Sequence, residues 1–222
     1  MKTKNKINPS EVLNHLVKAN GKIEWASRYK PLDELIFTVL TQHTSDINAE
    51  KAFEKLKKEI PIWEDVMKTP TKKIASLIHS GGLSNQKSIR IKKILKTIFK
   101  EKKELKIDFL QDLSLEDARS WLMNLPGVGP KTAAVVLVLC FKMPAMPVDT
   151  HIYRVSKRLG FIGNVSNEIA HKELERIIPE NDRYDMHIQL ITHGRNICKS
   201  QKPLCNQCNL RNLGCPYFKI LR

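Results

Sequence analysis

The sequence predicts an all-α protein, mainly because of the spacing of its apolar residues. Apolar side chains recur at intervals of three and four residues through most of the 222 residues, which is the period of one helix face. No segment of strand length convincingly alternates apolar and polar residues. Residues that begin or end helices also lie at the edges of these periodic segments.

The first three periodic segments each carry a start or stop signal. The first follows Pro31, which suits the first turn of a helix, and contains Leu32, Leu35, Ile36, Val39 and Leu40. The second ends at Pro61 and contains Ala52, Phe53, Leu56 and Ile60. The third, which Thr71 is expected to cap and Gly81-Gly82 to end, contains Ile74, Leu77 and Ile78.

The later segments follow the same rules. One contains Ile91, Ile94, Leu95, Ile98 and Phe99. The next begins at Ser114, with Asp117 three residues on as in a capping box, and contains Leu115, Ala118, Trp121 and Leu122. Gly160 is expected to end a helix. Ser166 is expected to cap the helix that precedes Pro179 and contains Ile169, Leu174 and Ile177.

The charge of the chain predicts a polyanionic partner. Lys and Arg total 38 against 23 Asp and Glu, a net charge of +15. Basic residues concentrate in residues 87–106 and in residues 195–222, which contain no acidic residue. Two such segments indicate phosphate contacts, although either could be a solvated helix face.

The apolar segments are too short for a membrane protein. The longest unbroken apolar run, Ala133 to Phe141, has nine residues, whereas a membrane span needs about 20. The N-terminal residues MKTKNKINPS have no apolar core, so no signal peptide is expected. We therefore predict a cytoplasmic protein with no membrane association.

Residues 125–132, LPGVGPKT, predict a tight hairpin between two helices. Gly127 and Gly129 permit such a turn and let the backbone N–H groups near Val128 approach an anion. The helix that begins at Pro130 adds its own free N–H groups, including that of Thr132. An ordinary helix corner is the alternative interpretation, but the basic character of the chain favours phosphate binding.

Lys131 and Asp149 are the candidate catalytic residues. Lys131 falls in the first turn of a nearly apolar helix, where partial burial and the helix end would favour a neutral, nucleophilic amine. Taken alone, Lys131 fits a phosphate-binding lysine better than a nucleophile. Asp149 precedes a further helix, which it could cap. Together an amine and a carboxylate supply what cleavage of an N-glycosidic bond needs, a nucleophile for C1′ and an anion for the charged sugar.

Four cysteines form a separate cluster near the C-terminus. Cys198, Cys205, Cys208 and Cys215 follow the pattern C-x6-C-x2-C-x6-C, while Cys140 lies in the apolar run. Four thiolates in one short segment suit either a [4Fe–4S] cluster or a Cys₄ zinc site. This chemistry leaves both open, although a single C-x2-C lacks the paired knuckles of a usual zinc ribbon and so favours the cluster.

With these motifs in place, the chain resembles the endonuclease III family of the helix-hairpin-helix DNA glycosylase superfamily. The matching segments are LPGVGPKTAAVVL, VDTHIYRVSKRLG, HGRNIC and the terminal cysteines, in the family's order. The resemblance implies a two-lobed fold: a helical barrel over residues 24–143 that ends with the hairpin, and an iron–sulfur domain from residues 1–23 and 144–222. It also implies a monomer with its active site in the cleft between the lobes.

The resemblance implies a base-excision-repair glycosylase with abasic-site lyase activity. Lys131 would attack C1′ and form a Schiff base, and Asp149 would stabilise the charged sugar. The expected partner is double-stranded DNA containing damaged bases or abasic sites, in the nucleoid, and oxidised pyrimidines are the default substrate.

The resemblance further implies a [4Fe–4S] cluster on the four cysteines, with the basic residues Lys199 and Lys202 contacting DNA. The family pattern has one residue fewer between the last two cysteines. Residues 82–87, GLSNQK, resemble the loop whose leucine intercalates, which assigns DNA contacts to Leu83, Asn85 and Lys87. Residues 41–46 resemble the loop that fills the gap left by the extruded base, and either Gln42 or His43 could do so.

Two alternative functions remain open from the sequence. One is a monofunctional mismatch or purine glycosylase, in which Lys131 only binds phosphate. The other is a non-catalytic DNA-binding module with a Cys₄ zinc site. Met123 and Pro130 replace residues that are acidic and basic in many bacterial members, which could change base preference.

Overall fold

The computed structural model describes residues 7–24 and 29–220, and every regular element within them is helical, so the all-α prediction is confirmed. The α-helices are α1 (Pro9–Asn20), α2 (Pro31–Thr41), α3 (Asp46–Glu59), α4 (Trp63–Lys68), α5 (Thr71–Leu77), α6 (Ser84–Lys102), α7 (Leu115–Met123), α8 (Pro130–Phe141), α9 (Thr150–Leu159), α10 (Asn167–Ile177), α11 (Arg183–Asn196) and α12 (Pro216–Ile220). No helix in the described ranges is long and apolar enough to cross a membrane.

The chain divides into two compact units. One consists of Met1–Ala26 and Lys142–Arg222, and the other of Ser27–Phe141. We call them the discontinuous unit and the continuous unit. The assignment of a barrel domain to residues 24–143 and an iron–sulfur domain to the rest stays a prediction, and residues 25–28 lie outside the described part of the chain.

The continuous unit is built around α2. Leu35, Ile36, Val39 and Leu40 are fully buried, and α2 packs against α3 and α8. Burying one such side chain stabilises the fold by about 1.5–3 kcal/mol. Helix α7 also packs against α8, so the turn that joins them is held from both sides.

The discontinuous unit is built around α9 and α11, and α1 packs against α11. Its core includes Leu16, Ile152, Val155, Leu174 and Leu190, all at most 1% exposed. Gly194 permits the close approach of α9 and α11, because a Cβ atom there would lie 2.9 Å from the Cβ of His151.

Most helix ends lie where the sequence predicts. The Ser114 and Ser166 hydroxyls accept hydrogen bonds from backbone N–H groups three residues on, and Gly160 ends α9 with φ +77°. The prediction that Thr71 caps α5 is wrong. Thr71 is the first residue of the helix, and Pro70 occupies the cap position with no side-chain hydrogen bond.

Candidate active site and cysteine cavity

The turn between α7 and α8 has the geometry expected of an anion-binding hairpin. Gly127 is exposed and has φ +76°, a conformation that favours glycine. The backbone N–H groups of Lys131 and Thr132, in the first turn of α8, have no acceptor within the described residues. Val128 differs from the prediction, because it is buried and its N–H donates to the Leu125 carbonyl at 3.1 Å. The free donors therefore follow Val128, in the first turn of α8.

Lys131 projects from the first turn of α8 and its side chain is exposed. The expectation of partial burial is therefore wrong. The apolar residues that follow it, among them Ala133 and Ala134, face the interior, while Lys131 lies on the outer side of the helix. The amine is accessible to a ligand at the hairpin.

Gln42 is tied to the hairpin. Its Nε2 donates to the Gly127 carbonyl at 3.3 Å and to the Thr132 hydroxyl at 3.2 Å. Its Oε1 accepts a hydrogen bond from Nη1 of Arg90 at 2.5 Å. Thr132 is 4% exposed, so its hydroxyl serves this internal contact and does not face outward.

His43 differs from its neighbour Gln42. Its side chain is exposed, and its backbone has φ +55°, in the left-handed region that non-glycine residues rarely adopt. A residue that its surroundings keep in this region destabilises the fold by about 1–3 kcal/mol, and such residues cluster at functional sites. Of the two candidates for the gap-filling residue, His43 has an exposed side chain, whereas the Gln42 side chain is hydrogen-bonded within the protein.

Leu83 and Asn85 lie at the start of α6. Leu83 is 50% exposed and has φ +45°. Asn85 is exposed in the first turn. A large apolar side chain presented to solvent from a left-handed residue is an unusual arrangement, and it leaves Leu83 available to contact a ligand.

Lys87 contradicts the prediction of a DNA contact. It is 2% exposed, and its Nζ donates to the carbonyls of Leu40 and Gly81, each at 2.6 Å. Burial, with a smaller effect from the nearby Arg90 guanidinium, lowers the pKa of Lys87 to about 8. Lys87 therefore joins the end of α2 to the loop before α6 from the inside, and it cannot also reach a phosphate.

Asp149, in the discontinuous unit, caps α9. Its Oδ1 accepts a hydrogen bond from the N–H of Ile152 at 2.7 Å, and the residue is half-buried. This contact fixes the carboxylate at the N-terminus of α9, at the positive end of the helix dipole.

The four cysteines line one cavity of the discontinuous unit. Cys198, Cys205, Cys208 and Cys215 face it together with Arg158 and His193. Burial, with the neighbouring Cys198 and Cys215, raises the pKa of the Cys205 and Cys208 thiols, and a cation bound among them would favour their thiolate form. No three His, Cys, Asp or Glu side chains of the described ranges form a single-ion site.

Two arginines of α9 hydrogen-bond to the backbone beside this cavity. No role was predicted for them from the sequence. Arg154 donates to the carbonyls of Gly194 and Cys198 at 2.8 and 3.0 Å. Arg158 donates to the Lys199 carbonyl at 2.7 Å and lies 3.3 Å from the Cys198 sulfur. Their spacing of four residues on one helix was a usable signal, because such residues share a face. Lys199 and Lys202, in the loop between Cys198 and Cys205, are exposed.

Comparison with known proteins places these features in a family. Residues 36–180 match the HhH-GPD superfamily of base excision DNA repair proteins. Endonuclease III of Thermotoga maritima is 35% identical over 85% of this chain and 84% of its own length. A non-covalent endonuclease III–DNA complex superposes with a TM-score of 0.83 at 33% identity, over 100% of this chain and 99% of the other.

A second solved structure is a trapped endonuclease III–DNA covalent intermediate in an estranged-adenine complex. It superposes with a TM-score of 0.80 at 32% identity, over 97% of this chain and 99% of the other. These identities extend over most of both chains, and the cysteine cavity and the hairpin lie in the aligned fold. The chain is a base excision repair DNA glycosylase of the endonuclease III family within the HhH-GPD superfamily.

Proposed function

We propose that this protein removes a damaged base from double-stranded DNA and then cleaves the strand at the abasic site. The observation that carries the proposal is the exposed Lys131 beside the free N–H groups of the hairpin. These N–H groups suit a DNA phosphate, and a bound phosphate would bring a nucleotide within reach of the lysine. We propose oxidised pyrimidines as the substrate class.

Lys131 is the nucleophile of this proposal. Its neutral amine attacks the sugar C1′, the C1′–N bond breaks, and the base leaves with the bonding electrons and a proton. The amine gives up the proton that the base takes, and the C1′–O4′ bond then breaks, with O4′ taking a proton from solvent, to give an iminium, the Schiff base. Removal of a C2′ proton then expels the 3′ phosphate, and hydrolysis of the iminium returns the amine.

Asp149 supplies the negative charge of this proposal. A carboxylate near the sugar stabilises the positive charge that develops as the base leaves. Its contact with the Ile152 N–H occupies one carboxylate oxygen and keeps the group oriented. In this proposal both residues act on the same deoxyribose.

Access to the base requires the nucleotide to leave the stack, which costs a few kcal/mol. We propose that Leu83 wedges into the duplex and that His43 fills the vacated space, with Asn85 beside them. Both Leu83 and His43 are exposed residues with positive φ, whereas the Gln42 side chain is engaged within the protein.

We propose that the four cysteines hold a [4Fe–4S] cluster, which fits a cavity lined by four thiols. With four protein ligands it has no open position and supplies structural order, here to the loop that carries Lys199 and Lys202. Protein purified without oxygen should then be brown and contain iron. Colourless protein that contains zinc and no iron would favour the zinc module instead.

The two domain assignments belong to the same proposal. Residues 24–143 would form the barrel domain and residues 1–23 and 144–222 the iron–sulfur domain. The protein would act as a monomer on nucleoid DNA in the cytoplasm.

A strand-cleavage assay tests the proposal. Duplexes with a single oxidised pyrimidine should be cut at the lesion by the native protein and left uncut by Lys131→Gln. Lys58→Gln, which removes one exposed lysine of α3 in the same unit, is the matched control and should cut normally. Release of the base without strand cleavage by the native protein would instead indicate a monofunctional glycosylase.

A further inference from the structure

Arg90 lies between two segments of the continuous unit that are far apart in sequence. From the second turn of α6, its Nη1 donates to Oε1 of Gln42 at 2.5 Å. Its side chain also covers the Gly127 backbone, since a Cβ atom at Gly127 would collide with Nε of Arg90. One guanidinium therefore contacts both the turn after α2 and the hairpin.

The Gln42 amide is hydrogen-bonded within the protein through both its nitrogen and its oxygen. Its oxygen accepts from Arg90, and its nitrogen donates to the Gly127 carbonyl and the Thr132 hydroxyl. The amide is thus held in one orientation, which Arg90 selects because the guanidinium can only donate. The next residue, His43, has φ +55° and is exposed.

A residue with positive φ keeps that conformation only when its surroundings fix it. The contacts of Gln42 hold the backbone immediately before His43. On the side of the Arg90 guanidinium that faces the hairpin, residue 127 must be glycine, because any side chain there would displace the guanidinium. The hairpin and the His43 turn are therefore coupled directly through Gln42 and, by way of the same amide, through Arg90.

We propose that Arg90 is a positioning residue, which acts through Gln42 to hold His43 and the hairpin in the arrangement that recognises an extruded nucleotide. This inference rests on the proposed function of the two loops. Arg90 does not itself contact the DNA in this proposal. Its effect should therefore depend on whether a nucleotide is missing from the stack, and a phosphate-binding arginine would show no such dependence.

The experiment compares binding to two duplexes of equal length, one undamaged and one with a tetrahydrofuran abasic analogue. Arg90→Ala should weaken binding to the abasic duplex about tenfold, the size of one lost charge-assisted hydrogen bond, and binding to the undamaged duplex less than twofold. Arg90→Lys should not restore the preference, since it loses the planar fork. Lys93→Ala, on an exposed position of the same helix, is the control and should keep the ratio.

A double-mutant cycle tests the route through Gln42. If Arg90 acts through Gln42, then Gln42→Ala should reduce the preference about as much as Arg90→Ala, and the double variant should be no worse than either. Additive losses would overturn that route.

Three results would overturn the positioning role. One is an equal loss of affinity for both duplexes, together with a smaller salt dependence of binding, which would indicate a direct phosphate contact. Another is a lower melting temperature with an unchanged binding ratio, which indicates a purely structural residue. The third is full rescue by Arg90→Lys. Failure of the proposed function is distinguishable, because the native protein itself would then show no preference for the abasic duplex.

Discussion

Replacing Lys87 with methionine should change how the stability of the protein depends on pH. Methionine has a similar length but no charge and no N–H donor. In the native protein, burial lowers the pKa of Lys87 from 10.5 to about 8. The folded chain therefore binds fewer protons than the unfolded chain between these two pH values. By linkage, the native protein gains stability relative to the variant as the pH rises through this range.

The pKa change sets the size of this effect. At about 1.4 kcal/mol for each tenfold change in proton affinity, the charged lysine costs about 3 kcal/mol at pH 7. That cost should fall by about 1 kcal/mol between pH 7 and 9, and by about 2.5 kcal/mol between pH 7 and 10. Urea unfolding of both proteins at these pH values measures it. Parallel stability profiles would contradict this pH dependence, because they would show that the carbonyls of Leu40 and Gly81 hold the charged amine as well as water does.

Three further predictions follow from the helices and the charges. Gly194→Ala should destabilise the protein by about 1–3 kcal/mol in urea unfolding, because the clash with His151 outweighs the higher helix propensity of alanine; equal or greater stability would contradict this. Asp149→Asn should abolish base release with less than about 1 kcal/mol of stability lost, since asparagine caps a helix equally well. An Asn variant that still releases the base would show that the carboxylate charge is not needed. Duplex binding should fall steeply with salt, with a log–log slope of several units, whereas a flat response would show that residues 87–106 and 195–222 are only solvated.

Short-range signals in the sequence predicted most of the fold. The caps at Ser114 and Ser166 and the stop at Gly160 are set by residues within four positions, so their chemistry can be read locally. The hairpin glycine at position 127 has the positive φ that the turn requires. The predicted cap at Thr71 was wrong by one position, because Pro70 occupies the cap position.

The site could be predicted less well, because its side chains depend on contacts between distant segments. Lys87 appears basic and loop-adjacent in sequence, yet its partner Leu40 is 47 residues away and its burial follows from that contact. Gln42 meets Gly127 across 85 residues. Lys131 was expected to be partly buried from its apolar neighbours, but only one side of α8 faces the core. No local pattern distinguishes these cases.

The proposed reaction requires the Lys131 amine to form a covalent bond with the sugar C1′. Borohydride reduces a Schiff base to a stable amine, so it should trap native protein on abasic-site DNA. Peptide mapping by mass spectrometry should find the adduct on Lys131, with none in Lys131→Gln and a normal yield in Lys58→Gln. Native protein that forms no adduct, or carries it on another residue, would contradict the account.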